Sequence, residues 1–414
     1  MIERLAAGRR GRVTWTIVDQ GLSSLSNLGL GLFAAHSLGL AGFGAFGLIY
    51  TTYLLFVGCS RALCSFTVMS RFSADLRSEP PGSLAQALGA LVLISLPAAL
   101  GCVLVAPLVS GVLRGCLLAL AVCLPGLLLQ DGMRFVFFAR GEPARAALSD
   151  FIWAVGLAVA FGVLVVSARP TPANLLLTWG AVGTLAGLIS LGLASLVPRV
   201  SGGLGWMRRH FDLGGYYFLE FLADTGSVPV ATYALGALVS VPAAGAFRGA
   251  QLVLGPLTLL FIGGRNAAIP EGARMDKSDA SIRRLALRMT AGLTAISLLY
   301  VGLLLAVPAP LGRAIMGDIW PAVHTLLLPL GLAWITAVPQ FAVSSCLKVL
   351  QDASGSLRAS MSVVPMTLAG GIGGAWAGGA VGASYGLLIA NLLAAVSWWY
   401  FLNRSLARRR EAAA

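Results

Sequence analysis

Charge is what this sequence has least of. Across 414 residues only 11% are Asp, Glu, Lys or Arg, while 57% are apolar. A soluble domain carries about 25% charged residues, so this chain could not cover its own surface in water. A bilayer removes the problem, and there only helices or closed barrels satisfy the backbone. The apolar stretches are continuous and about 20 residues long, which predicts helices and not alternating barrel strands. Lysine is nearly absent, at two residues against 27 arginines. The six cysteines, Cys59, Cys64, Cys102, Cys116, Cys123 and Cys346, form no CxxC or Cys/His cluster. They read as small packing residues within apolar segments, not as a disulfide or metal set. Walker motifs, catalytic triads and metal-ligand spacings are missing too, so nothing points to an enzyme or to a bound cofactor. The basic N-terminus MIERLAAGRRGRVTW is not followed by a short apolar core with a small-residue cleavage site. It reads as leading into a retained first helix.

What is present is a succession of apolar segments. The expected spans are 13–38, 44–68, 84–108, 115–137, 148–168 and 174–197, then 212–237, 245–268, 286–308, 320–347, 359–377 and 380–403. The sequence therefore predicts an all-α integral membrane protein of about twelve transmembrane helices. The formal charge of +13 does not read as a nucleic-acid footprint, because the arginines sit in every second loop. With a cytoplasmic N-terminus, inside segments hold Arg4, Arg9, Arg10, Arg12, Arg71, Arg77, Arg134, Arg140, Arg145, Arg199, Arg208, Arg209, the cluster from Arg265 to Arg288 and the tail from Arg404 to Arg410. Outside segments hold little beyond Arg114, Arg169 and Arg313. By the positive-inside rule both termini are expected in the cytoplasm. Trp398, Trp399 and Tyr400 read as an interfacial anchor. The external connections are short, which argues against a membrane glycosyltransferase or polymerase with a catalytic external domain.

The two halves match each other. Gly44-Ala45-Phe46 recurs as Gly245-Ala246-Phe247 at an offset of 201, and Pro107 meets Pro308 at the same offset. Gly180-Ala181-Val182-Gly183 recurs as Gly379-Ala380-Val381-Gly382 at an offset of 199. Six spans separate equivalent points, so the halves share one orientation, as in parallel-repeat transporters. The expected organisation is a six-helix lobe over 1–200, a linker over 201–211 rich in glycine, a second six-helix lobe over 212–403 and a basic tail over 404–414.

Ionisable residues inside spans are the informative ones, since even low estimates put such a charge at about 2.5–3.5 kcal/mol at the bilayer centre. Thr16, Asp19, Ser23, Ser26, Asn27 and Gly31 recur at helical spacing and predict a polar face on the first helix. Glu220 is the repeat equivalent of Asp19, and Asp224 lies one turn further along the seventh helix. Carboxylates taken out of water can hold a proton or cation, which makes Asp19, Asn27, Glu220 and Asp224 candidates for ion coupling or a polar cavity lining. Their bland reading is interhelical hydrogen bonding. Arg61 in the second helix and Arg248 in the eighth stand apart from the loop clusters; guanidinium forks suit an anionic headgroup. Their bland reading is snorkelling, or pairing with Asp19 or Glu220. Asp131 and Arg134, at i and i+3 near the end of the fourth helix, read as a local ion pair.

The segment Asp19-Gln20-Gly21-Leu22-Ser23-Ser24-Leu25-Ser26-Asn27 resembles the first helix of bacterial polysaccharide transporters and O-antigen flippases. Gly42-Phe43-Gly44-Ala45-Phe46-Gly47, then Ser60-Arg61-Ala62-Leu63, resembles their second helix. Ala244-Gly245-Ala246-Phe247-Arg248-Gly249-Ala250-Gln251, with Gly255-Pro256, resembles the matching part of their second half. These proteins belong to the multidrug/oligosaccharidyl-lipid/polysaccharide exporter superfamily. The resemblance implies two six-helix lobes forming a V-shaped cavity with alternating access. It also implies a polyprenyl-diphosphate-linked oligosaccharide, moved from the inner to the outer leaflet of a bacterial cytoplasmic membrane, with Arg61 and Arg248 on the diphosphate. The implied partners are membrane lipid, the lipid-linked glycan, and a glycan polymerase or glycosyltransferases; proton or sodium coupling is the implied energy source. Ion-coupled multidrug or metabolite exporters share that fold, and the carboxylates suit either. The Gly-x-x-x-Asp-Arg-x-Gly loop of major-facilitator transporters is missing: the segment after the second helix reads Ser70-Arg71-Phe72-Ser73-Ala74-Asp75.

Overall fold

At 1.5 Å per residue, a straight helix of more than 50 residues would be about twice as long as a bilayer is thick. Two helices of this protein exceed that length, and each breaks at glycine. In the computed structural model, which describes residues 9–72, 82–167, 170–224, 228–275 and 278–411, helix α1 runs Arg9–Ser60 and bends at Gly39 (φ 62°, ψ 174°). The last helix, α14, runs Ala353–Glu411 and bends at Gly378 and Gly379, the latter at φ 60°. A side chain at either positive φ would be strained. Each helix thus supplies two membrane-crossing arms.

Between them lie α2 (Phe66–Phe72), joined to α1 by a π-helical turn Arg61–Ser65, then α3 (Ser83–Val105), α4 (Val112–Ala139), α5 (Pro143–Ser167) and α6 (Pro172–Ala194). They are followed by α7 (Val200–Arg209), α8 (Phe211–Asp224), α9 (Val228–Leu238), α10 (Val241–Arg274), α11 (Asp279–Leu305), α12 (Ala309–Met316) and α13 (Trp320–Val349). Nine stretches among the described residues are long and apolar enough to cross a membrane. The two bent ones, Thr14–Phe72 and Ser354–Glu411, are each long enough to cross twice, and Pro229–Leu238 is a shorter apolar helix. The protein is an all-helical, multi-pass membrane protein, as the sequence predicts.

Of the seventh span, expected over 212–237, α8 and α9 are described, and residues 225–227 between them lie outside the described residues. Three local features differ from expectation. The glycine-rich stretch read as a linker is helical as α7. A short helix, α12, occupies a segment read as a loop; Gly312 lies under the Trp320 ring, and Leu311 and Ile315 are exposed. Trp398, read as an interfacial anchor, is instead buried at 6% exposure, while Tyr400 is exposed.

The chain divides into two compact units, 1–38 with 45–221, and 39–44 with 222–414. In the first, Cys64, Val68, Phe72, Leu88, Met133 and Phe137 form a core under α7. Trp206 of α7 is fully buried there, its indole N–H donating to Ser83 Oγ at 3.1 Å and its ring stacked on His210. In the second unit, Ile282, Val343, Cys346, Leu347, Trp398 and Leu402 pack together. The two arms of α14 touch backbone to backbone: a Cβ on Gly386 would stand 1.9 Å from the Gly370 carbonyl oxygen. This is the close approach that small residues at every fourth position allow between membrane helices.

Candidate functional site

The first unit buries a charge cluster that joins four membrane helices. Arg134 of α4 is its hub. Its Nη2 donates to Asp19 Oδ2 of α1 at 2.5 Å, its Nε lies 3.3 Å from Asp150 Oδ2 of α5, and its Nη1 lies 3.8 Å from Asp131 Oδ1. Asp131, one turn earlier on α4, is gripped by a second guanidinium: Arg61 donates from Nη2 to Oδ1 at 2.6 Å and from Nε to Oδ2 at 2.9 Å. The side chains of Asp19, Asp131, Asp150 and Arg134 are 1%, 4%, 2% and 8% exposed, whereas Arg61 is 36% exposed. Arg61 starts the π-helical turn, and its guanidinium carbon sits 5.7 Å from the centre of the Phe135 ring. Single π turns inside α-helices recur at functional sites because they re-aim a side chain without ending the helix.

Hydrogen bonds extend the cluster. Gln130 donates to Asp150 Oδ1 at 3.0 Å and reaches Ser149 Oγ at 3.4 Å, which in turn accepts from Ser190 of α6 at 2.8 Å. A narrow pocket opens beside it, lined by Ser23, Ser26 and Asn27 of α1, Asp150 and Trp153 of α5, and Trp179 of α6. It has room for about one water molecule. Asn27 accepts from the Tyr50 hydroxyl at 3.1 Å. Tyr50, Tyr53, Trp153 and Trp179 form an aromatic wall around it.

Three carboxylates face two guanidiniums, a formal charge of −1. Two carboxylate oxygens, Asp19 Oδ1 and Asp150 Oδ2, are buried with no hydrogen-bond partner among the described residues, and Arg134 Nε is not aligned to bond the latter. Buried charge of this kind costs several kcal/mol per ion unless well compensated. Among the described residues the cluster thus holds one carboxylate more than it has guanidiniums.

The structure brings together only part of the residues expected from sequence. Asp19, Asn27 and Arg61 lie in or beside the cluster. Arg61 pairs with Asp131, not with Asp19 or Glu220, and Asp19 pairs with Arg134. Asp131 and Arg134, read as a local helix-end pair, are the junction of the network, and their mutual contact is its longest. Thr16, expected on the face of Asp19, is exposed and donates to the Arg12 carbonyl. Glu220 is exposed and has no ion pair among the described residues. The side chain of Asp224 lies outside the described residues. Arg248, in the second unit, is part-buried and donates to Gln251 Oε1 at 3.3 Å. Sequence reasoning missed Asp150, Gln130 and Ser190. Asp150 lies inside an expected span, so the cost of an intramembrane charge was the signal that could have found it.

No family model and no curated relative matches the sequence. Solved structures do match. One is a multidrug resistance MATE family transporter of the MOP superfamily in an inward-facing conformation: TM-score 0.74, 12% identity, covering 96% of this chain and 100% of that one. Another is the lipid II flippase MurJ in an inward closed conformation: TM-score 0.73, 11% identity, covering 95% of this chain and 90% of that one. A MOP superfamily transporter from Pyrococcus furiosus matches with TM-score 0.51 and 11% identity over 98% of both chains. The fold is thus the one shared by these solved MATE and MurJ transporter structures.

Proposed function

We propose that the chain is a flippase for a polyprenyl-diphosphate-linked oligosaccharide, moving it from the inner to the outer leaflet of a bacterial cytoplasmic membrane by alternating access. The observation that carries this reading is Arg61. Its fork is set by a π turn, backed by an aromatic ring, and is the most exposed member of a cluster whose other charges are buried. A guanidinium so placed presents a fork to phosphate oxygens where solvent screening is weak. Arg248 of the second unit is the other candidate for the headgroup. Asp19 and Asn27 would take part in proton or sodium coupling, and Glu220 and Asp224 would line a polar path. Both termini would be cytoplasmic, and a glycan polymerase or glycosyltransferases would act before or after the transport step.

A second reading is an ion-coupled exporter of a drug or metabolite, favoured by the excess of carboxylate over guanidinium in the cluster. The two separate in one comparison. Surface glycan is measured in cells carrying Arg61→Ala and Arg248→Ala at normal protein levels, alongside efflux of a cationic dye. The flippase reading expects lost glycan display and unchanged dye efflux. Unchanged glycan display in both variants would remove the roles assigned to the two arginines.

A further inference from the structure

Arg61 has one strong partner, Asp131, and that partner is also within reach of Arg134. Taking Arg61 away would leave three buried carboxylates around a single guanidinium, a formal charge of −2 in place of −1. The other groups facing Asp131 do not offset this. Arg134 on its own helix is already shared between Asp19 of α1 and Asp150 of α5. Among the described residues Tyr53 of α1, with Tyr50 beside it, also faces these charges, and neither brings a positive charge. Gln130 and Ser190 are neutral. A proton from bulk water is the least costly replacement for the lost guanidinium.

We propose that Asp131 and an anionic headgroup compete for Arg61, and that the cluster of Asp19, Asp131 and Asp150 takes up one proton when the headgroup wins. Phosphate-anion binding and proton uptake are then one linked event. The proton comes from water, goes to a carboxylate oxygen, and leaves when Arg61 returns to Asp131. Asp131 is a positioning residue: it holds the Arg61 fork while the site is empty and sets the pH at which the fork is released. The inference rests on the reading of Arg61 as the headgroup ligand.

The test uses the full chain in detergent micelles and a short-chain prenyl-diphospho-N-acetylglucosamine probe. Both phosphates of such a diester stay ionised across the range used. Calorimetry in two buffers of different ionisation enthalpy gives affinity and protons taken up together. The wild-type protein should bind more tightly as pH falls from about 8 to about 6, approaching tenfold per unit, with about one proton taken up per probe. Asp131→Asn should bind more tightly than wild type at about pH 8, with a flattened pH slope. If the probe binds, Arg61→Ala weakens it, and the wild type shows neither slope nor proton uptake, the headgroup reading stands and the linkage is wrong. A wild-type slope retained in full by Asp131→Asn also overturns it. If the probe does not bind wild type at either pH, the headgroup reading itself fails and takes the linkage with it. The wild-type proton count needs no variant, so the test survives poor folding of Asp131→Asn.

Discussion

Arg134 and Asp19 are 115 residues apart in sequence and 2.5 Å apart in the fold, both buried. Their contact ties the first membrane helix to the fourth, and Asp150 and Asp131 draw the fifth helix and the Arg61 turn into the same cluster. A guanidinium shared by three carboxylates holds helices in one arrangement, since each partner lost leaves a buried charge without compensation.

Removing the hub should therefore cost far more than removing the exposed arm. Arg134→Ala is expected to destabilise the protein by about 3–5 kcal/mol, seen as a large drop in thermal unfolding temperature in detergent. Arg134→Lys should recover only part of it, because an ammonium cannot reach several carboxylates as a planar fork does. Wild-type melting of Arg134→Ala would show that the cluster does not hold the first unit together.

Glycine contacts predict opposite outcomes at two sites. A Cβ at Gly386 would meet the Gly370 carbonyl oxygen at 1.9 Å, whereas Gly292 of α11 has nothing within 4 Å. Gly386→Ala should destabilise by about 1–3 kcal/mol. Gly292→Ala should stabilise by about 0.5–1 kcal/mol, from helix propensity. Chemical unfolding in mixed micelles would rank the two, and equal effects would contradict the packing of the α14 arms.

The hold of α7 on the first unit rests on Trp206. Trp206→Ala is expected to cost about 3–5 kcal/mol and to make 200–209 sensitive to limited proteolysis. Trp206→Phe keeps the ring contact with His210 and loses the bond to Ser83, a smaller cost of about 1 kcal/mol. Protease resistance unchanged in Trp206→Ala would mean that other contacts fasten this helix.

Asp352, which caps the start of α14, gives a pH-dependent outcome. Burial pushes its carboxyl up, but hydrogen bonds from Ser405, the Gly355 N–H and Ser354, with the Arg408 charge, outweigh this and hold it below the usual carboxylate range. A group lowered in the folded state contributes stability above its unfolded value of about 3.9 and loses it as pH falls through the folded one. Asp352→Ala should thus melt below wild type at neutral pH by about 1 kcal/mol, the usual worth of an N-cap. The gap should narrow below about pH 4. A gap independent of pH would rule out the charge as its source.

Much of the fold was legible because its signals are local. An apolar run about 20 residues long needs no partner to be recognised, and Gly39 and Gly379 fall where such runs meet. The amphipathic α12 was missed because eight residues after a proline look like a loop until Trp320 is seen packed on Gly312. The candidate site was half legible. Asp19, Asn27 and Arg61 stood out as polar groups in apolar helices. Asp131 and Arg134 stood out equally, but spacing of i and i+3 on one helix suggested each other as partners, and side chains on other helices proved closer.

The sequence by itself determined the solvent, the helical class and the number of spans, because the cost of exposing apolar surface or an unpaired backbone depends on composition and length alone. It also determined that charged groups within those spans need compensation. Which group compensates which was decided only by tertiary structure. Asp19, Arg61, Asp131, Arg134 and Asp150 come from four helices, and the distances that set their pairing exist only once those helices are packed.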